Sequence, residues 1–221
     1  ECSENIKQAS ARLLTLINDV LDFSAIEAGK LEIITERYFL EDILNSVIGY
    51  MQDAASKKGI ATEYNIDDNL PAKLLGDEGR VKQIIMNIMS NAVKYTERGQ
   101  IIFTVGERVE KDIFHLTVTV ADTGIGISEE NVEKIFAEFD RLEFDKDRRI
   151  EGTGLGLSIA NSLVKQMGGN ITLQSVEGSG SIFTVTIPQK IEGKKKIGIY
   201  TYIQESENEQ VVMNLVAPEA R

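Results

Sequence analysis

The stretch IFHLTVTVADTGIG, residues 113–126, decides the fold. Within the predicted strand at residues 113–121, apolar and polar side chains alternate from Phe114 to Val120, which is typical of a β-strand that buries one face. The strand runs into Asp122, Gly124 and Gly126, where glycine lets the backbone turn and approach a ligand closely. A carboxylate at a strand end accepts well from a ligand amine, but a tight turn with a capping aspartate explains the same residues. Both interpretations stay open for this motif alone.

The same period-two alternation recurs in other segments, which are predicted strands: residues 101–105, 170–175 and 181–187, with further strand-like stretches at 31–35 and 61–66. Five segments show helical periodicity instead: residues 6–23, 40–57, 79–95, 129–139 and 155–167. Strands grouped apart from helices predict an α+β fold. We expect an α/β sandwich with helices on one face of a mixed, mainly antiparallel sheet, preceded by one long helix.

The first predicted helix has an unusually broad apolar face. Its apolar residues recur every three or four positions from Ile6 to Phe23, and Gly29 can end it. Such a face needs a cover, which is either another helix of a bundle or the chain's own domain. The sequence leaves these two alternatives open.

A second glycine cluster precedes the last predicted helix. It reads Gly152-Thr153-Gly154-Leu155-Gly156, followed by Leu157. Successive backbone amides at a helix start form an anion-binding concavity suited to phosphates. The spacing is neither a dinucleotide fingerprint nor a Walker loop.

The helix predicted at residues 79–95 carries an unusual polar face. Asn87, Asn91 and Lys94 share it, away from the apolar residues. A simple solvated face would normally carry Glu and Lys, since asparagine is a poor helix former. Amide oxygens suit Mg²⁺ and a lysine suits phosphate, so this face is a candidate ligand site.

Composition excludes several classes of function. The chain has 35 acidic and 24 basic residues and a net charge of -11, which repels a nucleic-acid backbone. Cys2 is the single cysteine, so neither a disulfide framework nor a thiolate metal site is expected. No apolar run reaches the ~20 residues of a membrane helix. We expect a cytoplasmic portion, and the sequence leaves open a membrane anchor elsewhere in the parent protein.

Five motifs together resemble the N, G1, F, G2 and G3 boxes of the histidine kinase catalytic domain. In order, they are Asn87-Ile-Met-Ser-Asn91-Ala-Val-Lys94-Tyr95-Thr96, Asp122-Thr-Gly-Ile-Gly126, Phe136-Ala-Glu-Phe139, Gly152-Thr-Gly-Leu-Gly156-Leu and Gly178-Ser-Gly180-Ser-Ile-Phe183-Thr184. The first helix resembles the second helix of the family's dimerisation and phosphotransfer hairpin. The resemblance divides the chain into that helix (1–36), a catalytic ATP-binding domain (37–190) and a tail or linker (191–221).

The resemblance implies that ATP and Mg²⁺ are the cofactors, and it assigns a role to each site residue. Asp122 accepts from the adenine amine, with help from Thr184 through water, and Asn91 and Asn87 hold Mg²⁺ against the phosphates. The catalytic residues are Asn87, Asn91 and Lys94. The remaining nucleotide contacts are Tyr95, Gly124, Gly126, Ile127, Gly152, Thr153, Gly154, Leu155, Gly156 and Leu157.

The implied activity is ATP-dependent phosphorylation of a protein histidine. Asn87 stands where gyrase-type relatives carry a glutamate general base, so the site favours phosphoryl transfer over hydrolysis. One alternative is a nucleotide-binding interaction module without kinase turnover, which the competent residue at every motif position disfavours. A hydrolytic ATPase of the gyrase class is disfavoured by Asn87.

The phosphate acceptor is expected outside this sequence. Histidine kinases carry a His-Glu-x-x-Thr-Pro-like segment on the preceding helix, and the 221 residues contain one histidine, His115, in a predicted strand. The implied partners are ATP, the acceptor helix of the same or a sister chain, a response regulator or receiver domain, and a second copy in a homodimer. Nucleic acid is not expected.

The tail is either a linker or a β-hairpin. Residues 197–203 and 211–216 both alternate and are rich in β-forming side chains, so we expect them to pair. The ending Ala217-Pro-Glu-Ala-Arg221 resembles the sequence just before a receiver domain in hybrid histidine kinases. The parent protein is therefore expected to continue into a receiver.

Overall fold

A computed structural model describes residues 2–110, 113–132, 134–136, 154–198, 200–205 and 210–215. Its helices are α1 (Cys2–Glu27), α2 (Leu40–Ser56), α3 (Glu78–Tyr95), α4 (Glu129–Val132) and α5 (Gly156–Gln166), with a 3-10 turn at Lys134–Phe136. Its strands are β1 (Glu36–Phe39), β2 (Ala61–Ile66), β3 (Lys73–Gly76), β4 (Gln100–Glu110), β5 (Ile113–Asp122), β6 (Asn170–Val176), β7 (Gly180–Ile191), β8 (Tyr200–Glu205) and β9 (Gln210–Leu215). Within these described ranges, no helix has the length and apolar character that crossing a membrane requires.

The main sheet is mixed and mostly antiparallel, as the sequence predicted. Its strand order is β1-β3-β7-β5-β4-β2, and β6 also pairs with β7. β2 runs parallel to β4, and the other pairings are antiparallel. The long strands β5 and β7 lie in the middle of the sheet and pair with each other. Their pairing fixes the positions of the loop that follows Asp122 and of the turn that precedes Gly180.

One core lies between this sheet and α2, α3 and α5. Every second residue of β5 from Phe114 to Val120 is buried, and the helices bury their apolar stripes against them. A side chain two residues after Val120 lies on the same face of the sheet, because strand side chains alternate. The position of Asp122 on the helix-covered face follows from this alternation.

The long helix α1 is covered in part by its own domain. Phe23 and Ile26 pack against the core, while the more N-terminal apolar positions Leu14 and Leu21 are 60% and 61% exposed. Among the α1 side chains that the structure describes, packing on the chain's own domain therefore holds for Phe23 and Ile26 and does not hold for Leu14 or Leu21.

A polar contact fixes the end of α1 on the first turns of α3. One carboxylate oxygen of Asp22 accepts from the Arg80 guanidinium at 2.9 Å, and the other accepts from the Gln83 amide at 2.7 Å. Asp77 caps α3 by accepting from the backbone N–H of Arg80, and its second oxygen accepts from the N–H of Ile34 in the connection that follows α1. The start of α3 thus holds both the end of α1 and the segment that connects α1 to β1.

Two predictions about local structure were wrong. Residues 31–35 form no strand, because the ladder with β3 begins only at Glu36. The helix predicted at residues 129–139 is α4 followed by the 3-10 turn, and residues 133 and 137–139 lie outside the described ones. Before α4, the Ser128 hydroxyl accepts from the Asn131 side chain.

Beyond β7 the chain runs back along the segment before β3. The backbone N–H of Ala72 donates to Lys195 and that of Ile197 donates to Leu70. β8 and β9 then form an antiparallel pair in which Tyr200 lies opposite Leu215. The alternating stretches of the tail therefore pair with each other in this structure.

Candidate functional site

Asp122 lies at the end of β5 with 9% of its surface exposed. Its carboxylate accepts from the backbone N–H of Gly124 at 2.8 Å and from the backbone N–H of Ser181. Burial raises the pKa of this carboxyl above its ordinary value, and the two backbone hydrogen bonds lower it in part. The result is a buried carboxylate that the backbone holds in one orientation.

Close backbone approach explains the glycines around Asp122. A Cβ at Gly124 would lie 2.5 Å from the carbonyl oxygen of Tyr95, and one at Gly126 would lie 2.0 Å from that of Val176. Gly180 has a φ of 110°, and a Cβ there would meet the Asp122 carbonyl oxygen. Any side chain at these three positions would push the loop after β5 away from α3 or from β6 and β7.

The second glycine cluster is tied to α3 by Asn87. The Asn87 side-chain amide donates to the carbonyl oxygen of Gly156, the first residue of α5, at 2.9 Å. Gly154 has a φ of 75°, in the left-handed region. The side chains of Leu155 and Leu157 are buried, so their side chains are not available to a ligand. Gly152 and Thr153, also predicted here, lie outside the described residues.

Lys94 and Tyr95 lie in the last turn of α3, beside the loop after β5. The Lys94 ammonium is 2.7 Å from the Tyr95 hydroxyl and 4.5 Å from the centre of its ring. The Tyr95 carbonyl accepts from the backbone N–H of Ile125. Asn91, half-buried one turn earlier, lies on the same side of the helix as Asn87. Residues predicted from α3 and from both glycine clusters therefore come together.

Thr184 is not part of this site, which corrects its predicted role beside adenine. It pairs with Thr119, and their hydroxyl oxygens are 3.1 Å apart. Its neighbours Phe183 and Val185 are buried on the helix side, so the side chain of Thr184 points to the opposite face of the sheet from Asp122. The β7 position opposite Asp122 lies three positions before Thr184, and an odd offset along a strand places two side chains on opposite faces of the sheet.

Ser181 occupies that position, and sequence analysis missed it together with Ser175. Ser181 is directly opposite Asp122 in the ladder and is 6% exposed. The Ser175 hydroxyl accepts from the backbone N–H of Ile127 at 2.8 Å, and it lies 2.9 Å from the Ser181 hydroxyl. The sequence did contain a signal for both. The strands before and after the turn at Gly178 each carry one serine at a position that alternation places on the core side.

His115 is a strand residue, as expected. It lies on β5 opposite Arg108 and Pro188, and it alternates with the core residues Phe114 and Leu116. Its side chain therefore lies on the sheet face away from α3. The histidine and the cluster around Asp122 are on opposite sides of the sheet.

The chemistry of the cluster suits a nucleotide. It combines a buried carboxylate, two asparagine amides one helical turn apart, one lysine and the backbone amides before α5. Within the described ranges no group of three or more His, Cys, Asp or Glu side chains is placed to hold a metal. The amide oxygens of Asn87 and Asn91 are hard ligands, and they fit Mg²⁺ that is bound mainly by phosphates.

Lys58 fixes the end of α3 from outside the cluster. Its ammonium donates to the carbonyl oxygens of Val93, Lys94 and Thr96, at 2.6, 3.0 and 3.2 Å. A cation at a helix C-terminus satisfies carbonyls that have no partner within the helix and complements the helix dipole. The last turn of α3, which carries Lys94 and Tyr95, depends on this contact.

We expect Lys58→Met to lower the free energy of unfolding by about 1 kcal/mol, because the last carbonyls of α3 lose a charged donor. The control is Lys57→Met, since Lys57 makes only an exposed ion pair with Asp53 at 2.7 Å and should change stability by less than about 0.5 kcal/mol. Urea unfolding of both variants measures the difference. Equal midpoints would show that the Lys58 contacts add nothing.

Comparison with known proteins gives the family. Residues 76–191 match the family described as histidine kinase-, DNA gyrase B-, and HSP90-like ATPase. The chain is 42% identical over 185 residues to hybrid signal transduction histidine kinase B of Dictyostelium discoideum, covering 83% of this chain and 9% of that relative. It is 38% identical over 179 residues to the signal transduction histidine-protein kinase BarA of Escherichia coli K12, covering 80% of this chain and 20% of BarA.

Solved structures agree with this assignment. The fold matches full-length ShkA in complex with AMPPNP with a TM-score of 0.71 and 32% identity, over 86% of this chain and 38% of that one. It matches the catalytic domain of histidine kinase ThkA with a TM-score of 0.58 and 28% identity, over 70% of this chain and 95% of that one.

The chain belongs to the histidine kinase-, DNA gyrase B-, and HSP90-like ATPase family. Within that family it holds the catalytic domain of a histidine kinase of the two-component type, similar to those of hybrid sensor kinases. An interaction module without turnover is not favoured. The chain spans about a tenth to a quarter of the curated relatives it matches, so it corresponds to one part of such proteins.

Proposed function

We propose that this domain binds ATP with Mg²⁺ and transfers the γ-phosphoryl group to a histidine on a helix outside the present sequence. The observation that carries the proposal is the buried Asp122 carboxylate, held by two backbone N–H groups beside a glycine loop. A carboxylate accepts hydrogen bonds and cannot donate them, so it selects an exocyclic amine such as that of adenine. The AMPPNP bound to full-length ShkA supports a nucleotide as the ligand.

We assign the phosphate side of the site to α3 and to the start of α5. Asn91 and Asn87 would hold Mg²⁺ through their amide oxygens, because the Asn87 amide nitrogen already donates to Gly156. Lys94 would place a positive charge on the phosphates. Mg²⁺, when bound, would neutralise phosphate charge as transfer proceeds.

Asn87 also decides between transfer and hydrolysis. An amide takes no proton from water at neutral pH, and the amide nitrogen of Asn87 is occupied as a donor to Gly156. The site therefore positions ATP without activating a water molecule, and it awaits a nucleophile that a partner delivers.

The proposed partners follow from this chemistry. The nucleophile would come from the acceptor helix of the same chain or of a sister chain in a homodimer, and the phosphoryl group would pass to a response regulator or to a receiver domain in the parent protein. The exposed apolar residues of α1, such as Leu14 and Leu21, support a helical partner. We propose a cytoplasmic location for this portion, whether or not the parent is anchored in a membrane.

Binding and phosphate release test the proposal together. We expect the chain to bind ATP in titration calorimetry and to release phosphate at a rate within about tenfold of uncatalysed background, because Asn87 presents an amide, which is not a general base. Asn87→Glu tests whether the missing general base limits hydrolysis, since it introduces a carboxylate at this position and should raise the rate of phosphate release. Rapid steady-state release by the unaltered chain would instead favour a gyrase-type hydrolase, and absence of binding would contradict a nucleotide site.

A further inference from the structure

The Ser175 hydroxyl uses all of its hydrogen-bonding capacity at one point. It accepts from the backbone N–H of Ile127 at 2.8 Å, donates to the carbonyl oxygen of Gly180 at 2.9 Å, and lies 2.9 Å from the Ser181 hydroxyl. A hydroxyl has one proton and two lone pairs. Since the proton goes to Gly180, the Ser181 hydroxyl is the donor in the third bond.

The three partners belong to the two backbone segments that surround Asp122. Ile127 ends the glycine loop that begins at Asp122, and its side chain is 8% exposed. Gly180 and Ser181 open β7 on the other side, where the backbone N–H of Ser181 donates to the Asp122 carboxylate. Ser175 thus joins the loop after β5 to the start of β7, from a third strand, β6.

The loop after β5 has few side chains of its own that could hold it against β6 and β7. Gly124 and Gly126 leave the loop after β5 without side chains at two positions, so contacts from other strands must hold it. One such contact is the bond from the Gly178 N–H to the Ile125 carbonyl at 2.7 Å, and Ser175 supplies another at Ile127. Without the Ser175 hydroxyl, the buried N–H of Ile127 would lose its acceptor.

We propose that Ser175 is a positioning residue for recognition of the nucleotide base, acting through the orientation of the Asp122 carboxylate. This inference rests on the proposed binding of ATP at Asp122. Ser175 does not touch the base; it fixes the distance between the two N–H groups that hold the carboxylate. Its loss would therefore reduce the preference for a base with an amine at C6 more than it would reduce binding of the phosphates.

The test compares ATP and GTP binding to Ser175→Ala and to the unaltered chain by calorimetry, below the unfolding temperature of both. We expect the variant to bind ATP about tenfold more weakly, because a buried donor is left unsatisfied. Affinity for GTP should change less than about twofold, since guanine presents a carbonyl at C6, where adenine presents its amine, and a carbonyl donates no hydrogen bond to the carboxylate. The ratio of the two affinities is the readout that a general loss of stability would not move.

Two variants serve as controls. Ser175→Thr retains the hydroxyl and should keep most of the preference for ATP. Ser179→Ala makes the same chemical change at an exposed serine four residues away and should leave both affinities unchanged. If Ser175→Ala does not fold, Ser175→Cys takes its place, since a thiol hydrogen-bonds weakly, and it should lie between alanine and threonine in preference.

The outcomes separate this inference from the function on which it rests. If the unaltered chain does not bind ATP in preference to GTP, the proposed function is wrong. If it does, and Ser175→Ala keeps the same ratio of affinities, Ser175 has only a structural role and the inference is wrong.

Discussion

Asp122→Asn should weaken ATP binding at least about tenfold while the domain remains folded, because a hydrogen bond to a charged acceptor contributes roughly 1.5–3 kcal/mol. The asparagine has nearly the same shape, but it presents a donor where the base amine needs an acceptor. Titration calorimetry measures the change. Asp53→Asn is the control, since Asp53 is an exposed carboxylate on α2 and should leave affinity unchanged. Unchanged affinity in Asp122→Asn would remove this carboxylate from the site.

The pKa of Asp122 gives the same variant a second expected result. Burial raises the pKa of the folded carboxyl above that of the unfolded chain, so the folded state binds the proton more tightly. The stability that this group contributes is then fully present below the unfolded pKa and is lost as pH rises through the folded pKa. At neutral pH Asp122→Asn should therefore be no less stable than the unaltered chain in thermal unfolding. ATP affinity of the unaltered chain should fall as pH drops through the raised pKa.

Asn91→Ala should reduce phosphoryl transfer about a hundredfold, because it removes a ligand that holds Mg²⁺ where charge develops. ATP binding with Mg²⁺ should weaken, whereas binding in the presence of a chelator should change less than about twofold. Asn65→Ala is the matched control, since the Asn65 amide donates to the side chain of Glu63 on β2, away from α3. Equal losses with and without Mg²⁺ would indicate that Asn91 acts on the structure of α3 alone.

The parts of the fold that the sequence predicted well have strong local patterns. α2 and α3 have regular apolar stripes, and their observed bounds differ from those predicted by only one residue. β1 and β3 were missed because each has four residues and is defined by its ladder with a distant strand. The pairing of α1 with Arg80 and Gln83 was likewise not predictable, since it joins residues about sixty positions apart.

The site likewise combines residues that local motifs predicted with residues that only the structure identifies. Asp122, Asn87 and the glycines carried local signals, and the structure brings them together. Thr184 was assigned from its motif alone, and the alternation of β7 places it on the wrong face. Ser175 lies outside the five motifs, and Ser181 lies inside the fifth motif but was assigned no role there. They matter through hydrogen bonds across three strands, which become visible only once the register is fixed.

The most direct test of histidine kinase activity is transfer of label from ATP to a fragment that carries the acceptor helix. The chain is incubated with γ-labelled ATP, Mg²⁺ and the fragment, and the products are separated before and after acid treatment. We predict acid-labile label on the histidine of the fragment and none on His115, which faces away from α3 on the opposite side of the sheet. Label on His115, or release of phosphate to water with an unlabelled fragment, would contradict a histidine kinase site.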